Sequence, residues 1–226
     1  MWRGILIIMI SFAWFLNVGV NASDVAKEDQ CYDIIKSIAP NALINEDGKI
    51  SRGDCVSIIM KLIGVDREIA KIYGNGFYDQ PVFEDVNGGG ENDGYIIIAK
   101  FSGVARGVDK APNGVNNFAP NRDVNVKECL AFMLRCVKNS NDVGWDNILT
   151  DSVQIGLLRK DELNIFVADA PLLNKEFCTL LYRMLNMNRY LYWPAEEPQA
   201  GYAKSMQIDQ TGSLKYIDWI LEMYNE

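Results

Sequence analysis

One block, Phe118 to Val137, occurs three times in a single gapless register, and this repeat constrains the fold more than any other feature. The block reads FAPNRDVNVKECLAFMLRCV: a turn-rich approach, a helix start, then an apolar helix face. Asn125 is a natural N-cap, and Glu128 three residues later completes a capping-box pattern. Cys129, Phe132, Met133, Cys136 and Val137 then fall on one stripe at helical spacing. Placing Arg135 on Arg183 aligns Val124 with Leu172, Glu128 with Glu176, and the stripe with Phe177, Leu180, Leu181, Met184 and Leu185. Placing it on Lys61 aligns Val124 with Ile50, Glu128 with Asp54, and the stripe with Cys55, Ile58, Ile59, Leu62 and Ile63. A face of this size cannot be buried within one unit, but three units packed together can bury it.

Each unit reads as a helix, a loop and a second, more apolar helix, and period-two alternation is scarce. The expected fold is therefore all-α, with at most short extended pieces. The expected divisions are 1–22 as a signal peptide, 23–64 as the first repeat and 65–82 as an insertion. A second repeat at 83–139, a third at 140–187 and a tail at 188–226 with a final helix follow. Pro40 and Asn41 are expected to stop the helix that begins at Cys31, and Ser213 to cap the last one. The Gly-, Asp- and Asn-rich run from Gly74 to Gly94 reads as a surface loop.

The 226 residues carry a net charge of -8, no basic run and no His. Nucleic acid is a poor expectation for such a chain, because phosphate neutralisation needs clustered Lys and Arg. Without His, the usual general base and every Ser-His or Cys-His nucleophile are excluded. No carboxylate pair is marked by spacing as acid and base, so no enzyme and no cofactor are expected. Arg3 precedes an apolar run from Ile5 to Leu16 and a small-residue pattern at Val20-Asn21-Ala22. That run is short for a membrane span and reads as a cleaved signal, which implies export and no stable transmembrane segment afterwards. The five cysteines lack metal-site spacing. Cys55, Cys129 and Cys136 lie on the apolar stripes as small hydrophobes, with a Cys55–Cys129 disulfide as the alternative. Asn45-Glu46-Asp47-Gly48 followed by Asp54 has part of the spacing of a calcium loop, but Leu43 stands at its first ligand position and cannot coordinate, so no metal is expected.

Phe83-Glu84-Asp85-Val86, then YIIIAKFSGVARG from Tyr95 to Gly107, then the Phe118 block resemble an S-layer homology repeat. That family pattern runs F-x-D-V, an aromatic before a helix, a Gly-bounded turn, F-x-P-N and I-T-R-x-E. The first unit matches best at Ile50-Ser51-Arg52-Gly53-Asp54, and the third is worn, with Ala168 in place of the proline. The resemblance implies three helix-loop-helix repeats in a pseudo-threefold arrangement around a central three-helix bundle. It also implies a secreted protein held at the bacterial cell wall by secondary cell wall polysaccharide, often pyruvylated. The ligand residues it implies are Arg52, with Ser51 and Asp54 fixing the helix start, and Tyr95 as a surface for a sugar face. The arginine position is Val126 in the second unit and Asn174 in the third, so one standard pocket is expected. Arg52 is expected to be replaceable without loss of fold. A degenerate module that makes protein contacts with other envelope proteins, without glycan binding, is the alternative.

Overall fold

The computed structural model describes residues 32–75, 81–110, 114–164, 166–194 and 206–224. The fold is mostly α. After a helical segment at 32–38 come α1 (Pro40–Ile44), α2 (Arg52–Leu62), α3 (Arg67–Gly74), α4 (Asp93–Phe101), α5 (Val126–Val137), α6 (Ile148–Ile155), α7 (Asn174–Leu185) and α8 (Tyr216–Tyr224). Two antiparallel ribbons are the extended pieces: β1 (Asp109–Lys110) with β2 (Asn116–Asn117), and β3 (Leu191–Tyr192) with β4 (Gln207–Ile208). The signal-peptide segment and Cys31 lie outside the described residues. Among the described residues, no helix is long and apolar enough to cross a membrane.

Helix starts follow local chemistry. Asn125 accepts a hydrogen bond from the Glu128 N–H, and the Glu128 carboxylate accepts one back from the Asn125 N–H, a complete capping box. Ser51 caps α2 by accepting from the Asp54 N–H. Leu173 has no side-chain acceptor, and only the return bond, from its N–H to Glu176, survives at α7. The helical segment at 32–38 ends just ahead of Pro40, as expected, and Pro40 then opens a separate short helix, α1, because its missing N–H would be unpaired in a first turn anyway. One expectation is corrected. Ser213 does not cap α8; its hydroxyl lies 2.9 Å from that of Thr211, and the helix begins three residues later at Tyr216.

The approaches to α2, α5 and α7 are tied in a closed ring of backbone bonds. The Ile50 N–H donates to Leu172, the Leu172 N–H to Val124, and the Val124 N–H to Ile50. A second ring surrounds it: Arg52 to Arg122, Val126 to Ala170, and Asn174 to Gly48. These six residues occupy two matched sets of positions in the repeat register, so the three blocks contact one another head to tail. The stripes then meet in one continuous buried cluster, in which Ile59, Met133 and Leu181 are wholly inaccessible.

The remaining segments pack onto this cluster. In the Phe83-Glu84-Asp85-Val86 run, the Asp85 carboxylate accepts from the Phe118 and Ala119 N–H groups, at 2.7 Å each. That clamps the Phe118 turn, where Ala119 has a φ of 60°, and it brings Phe83 against Phe118 in a tilted ring pair. Gly94 lets α4 lie on α3, since a Cβ there would collide with the Ala70 carbonyl. The tail folds back: the Trp193 backbone N–H donates to the Ile63 carbonyl, and buried Tyr216 places its hydroxyl 2.9 Å from the Cys136 carbonyl and 2.7 Å from that of Leu191.

Candidate functional site

A cleft of about 510 Å³ runs along α5, lined on the helix by Glu128, Ala131, Phe132 and Arg135. Its other walls are Arg52 from α2, the segment Arg106–Asp109, Ala119 and Arg122 from the turn, and Trp145. Four arginines face two carboxylates, Glu128 and Asp109, a local surplus of positive charge in a chain of net charge -8. Trp145 is 46% exposed, and the Lys127 ammonium stands 4.7 Å from its ring centroid.

Arg52 is part of this cleft, but protein already holds it. It is 3% exposed. Its Nε donates to the Phe118 carbonyl and its Nη2 to the Arg106 carbonyl, each at 2.8 Å, and its Nη1 pairs with Glu128 at 3.0 Å. The guanidinium also lies 4.7 and 4.8 Å from the ring centroids of Phe118 and Phe132. Burial pushes its pKa down, against the pull of Glu128. The expectation of a replaceable first-turn arginine is thus overturned: Arg52 cross-links α2 to the Phe118 turn and α5. Distant partners supply all of these contacts, and nothing in the local motif announces them.

Glu128 serves three groups, with one oxygen on its own helix cap and the other on Arg52 and on Arg122, at 2.6 Å from the latter. Ser51 and Asp54 stay at the helix start. Ser51 Oγ donates to Asp54 at 2.6 Å, and Asn92 donates to the other Asp54 oxygen at 2.7 Å.

Tyr95 is not brought to Arg52. It lines a different cleft of about 970 Å³, with Lys61, Arg67, Lys71 and the Gly88–Gly90 run. It is buried, Lys61 stands over its ring at 5.3 Å, and burial, with help from Asp66, pushes its pKa up to about 12. The exposed aromatic lining the same cleft as Arg52 is instead Trp145, near the start of the expected third repeat at 140–187, which sequence reasoning did not single out. Its one signal was a large aromatic on a polar stretch, Asp142 to Asn147, with little apolar surface to bury it.

Cys55, Cys129, Cys136 and Cys178 are free and buried, so the equivalent cysteines Cys55 and Cys129 are not joined by a disulfide. Among the described residues, no group of carboxylates and cysteines is arranged to hold a metal ion. In the loop once weighed for calcium, Asp47 instead pairs with Lys175 at 2.8 Å. No protein-family model, curated protein or solved structure matches the chain.

Proposed function

We propose that the chain is a non-catalytic cell-surface module of S-layer homology type that anchors to the bacterial cell wall by binding an anionic, pyruvylated secondary wall polysaccharide. In this reading it is exported, loses residues 1–22, and consists of three helix-loop-helix repeats in a pseudo-threefold arrangement around α2, α5 and α7. The matched rings of backbone bonds at Ile50, Val124 and Leu172 support the threefold part. The observation that carries the function is the arginine-rich cleft along α5, a positive recess on an acidic protein with an exposed tryptophan beside it. Guanidinium groups match carboxylates by shape and charge, and an indole face suits the apolar face of a sugar. Ser51 and Asp54 act indirectly, by fixing the start of α2, and Arg52 holds the cleft wall in place.

Sedimentation of the mature protein with purified cell walls tests this reading. Binding to intact walls, lost when the secondary polymer is stripped off, is the expected result. The alternative, an envelope module for protein contacts, draws on Val126 and Asn174, which are buried and uncharged or neutral where the family pattern has arginine. Absence of wall binding favours that alternative.

A further inference from the structure

Arg135 and Arg183 hold the same position on α5 and α7, yet they are partnered differently. Arg183 donates to the Leu157 carbonyl at 2.9 Å and grips both oxygens of Glu162, at 2.7 and 2.6 Å. Arg135 donates to the Val104 carbonyl at 3.0 Å. Val104 and Leu157 each follow the glycine that ends the first helix of their unit, Gly103 and Gly156, so the backbone half of the arrangement is repeated. The carboxylate half is not. The residue standing where Glu162 stands, counted from those glycines, is Asp109, which lies in β1 opposite Asn117.

Among the described residues Arg135 therefore has no counter-charge: it forms no ion pair, and its Nε is buried without an acceptor. It is only 4% exposed, and it lines the cleft. Burial, with repulsion from Arg106 and Arg52, pushes its pKa down to about 10, which still leaves it charged at neutral pH. Burying a charge with an unsatisfied donor is unfavourable, and the third unit relieves the same strain with Glu162.

We infer that Arg135 is the residue that receives the ligand's carboxylate, in the place that Glu162 takes against Arg183. This rests on the wall-glycan reading and deepens it. The class is an acidic sugar, and the carboxylate can belong to a uronic acid or to a pyruvyl ketal. A carboxylate is favoured over a phosphate because the third unit fills this place with a planar, two-oxygen acid. Arg52, already held by protein at Nε, Nη1 and Nη2, is a positioning residue, and Arg135 is the ligand contact.

Calorimetric titration of residues 23–226 tests the inference. The probes are methyl glucuronide, a pyruvyl-ketal N-acetylhexosamine methyl glycoside, the same glycoside without the ketal, and glycerol phosphate. One of the two carboxylate sugars should bind, and which one identifies the source; the ketal-free glycoside and glycerol phosphate should bind at least tenfold more weakly. Arg135→Met should lower affinity at least tenfold, and Arg135→Lys should fall between. Lysine is compatible with the site, since Lys61 holds the equivalent position in the first unit. Asp109→Glu should compete in cis, lowering affinity and raising Tm. Full affinity in Arg135→Met, or, should that variant not fold, in both Arg135→Lys and Asp109→Glu, overturns the inference; so does equal binding of glycerol phosphate. Wild-type sedimentation with walls is scored separately. Walls bound equally by wild type and Arg135→Met overturn this inference alone, whereas sugar binding without wall binding overturns the wall reading alone.

Discussion

Arg52, in the first turn of α2, and Glu128, in the first turn of α5, form a 3.0 Å ion pair in which both side chains are almost fully buried. The pair joins two blocks of the repeat at the point where their backbones also exchange bonds. Breaking a buried pair from one side leaves the other charge uncompensated. Arg52→Ala also orphans the carbonyls of Phe118 and Arg106. The expected loss is about 3–5 kcal/mol, read as a lower midpoint in urea unfolding. An unchanged midpoint would show that the arginine is not built into the fold.

The Asp85 clamp is a second, independent test. Its carboxylate takes two short backbone bonds from the Phe118 turn. Charge-assisted bonds of this kind contribute roughly 1.5–3 kcal/mol each. Asp85→Ala should therefore cost about 3 kcal/mol and weaken any binding at the cleft, because Ala119 and Arg122 lie on the clamped turn. Thermal melts of the variant measure the first effect, and sugar titration the second.

The cysteines give a chemical readout. Cys55, Cys129, Cys136 and Cys178 are buried, and desolvation raises the pKa of Cys55 and Cys136 well above the ordinary thiol value and that of Cys178 to about 12. The thiolate is the reactive form. In a native-state assay with an aromatic disulfide reagent, these four should stay silent and then react fully in denaturant. Rapid modification of Cys55 or Cys129 in the native protein would contradict their placement.

Glu162 makes stability depend on pH. Burial, the largest single influence, pushes its pKa up, but the two bonds from Arg183 and one from the Arg159 N–H outweigh it, and the carboxyl titrates below its usual 4.5. A lowered acid contributes stability above its unfolded pKa and loses it as pH falls through the folded value. Wild type should lose this contribution on acidification below about pH 4.5, and Glu162→Gln should be less stable at pH 7 with a flatter acid limb. Parallel acid limbs in the two proteins would contradict the pairing.

What could be read from the chain follows the range of the forces involved. Capping at Asn125 and Glu128, the apolar stripes of α2, α5 and α7, and the mostly helical character are local, and short spacing rules reach them. Pro40 was legible as the stop of the helix before it, but not as the start of α1, because proline both ends and begins helices. The burial of Arg52 was hidden because its partners come from Arg106, Phe118 and Glu128, none of them near it in sequence. Tyr95 lies in a different cleft from Arg52, and Trp145 reaches the arginines only through packing. The lack of an ion pair at Arg135, whose matching acid Asp109 is held in β1, became visible only when two units were compared side by side.

Residue-resolved NMR titration of isotope-labelled residues 23–226 with soluble fragments of the secondary wall polymer tests the central claim most directly. The account predicts shift changes at Gly107, Val108, Ala131 and Arg135 and at the Trp145 indole N–H, with little change at Gly88–Gly90 in the larger cleft. Saturating polymer that leaves the α5 cleft unperturbed, or that shifts only the Gly88–Gly90 run and its neighbours, would contradict it.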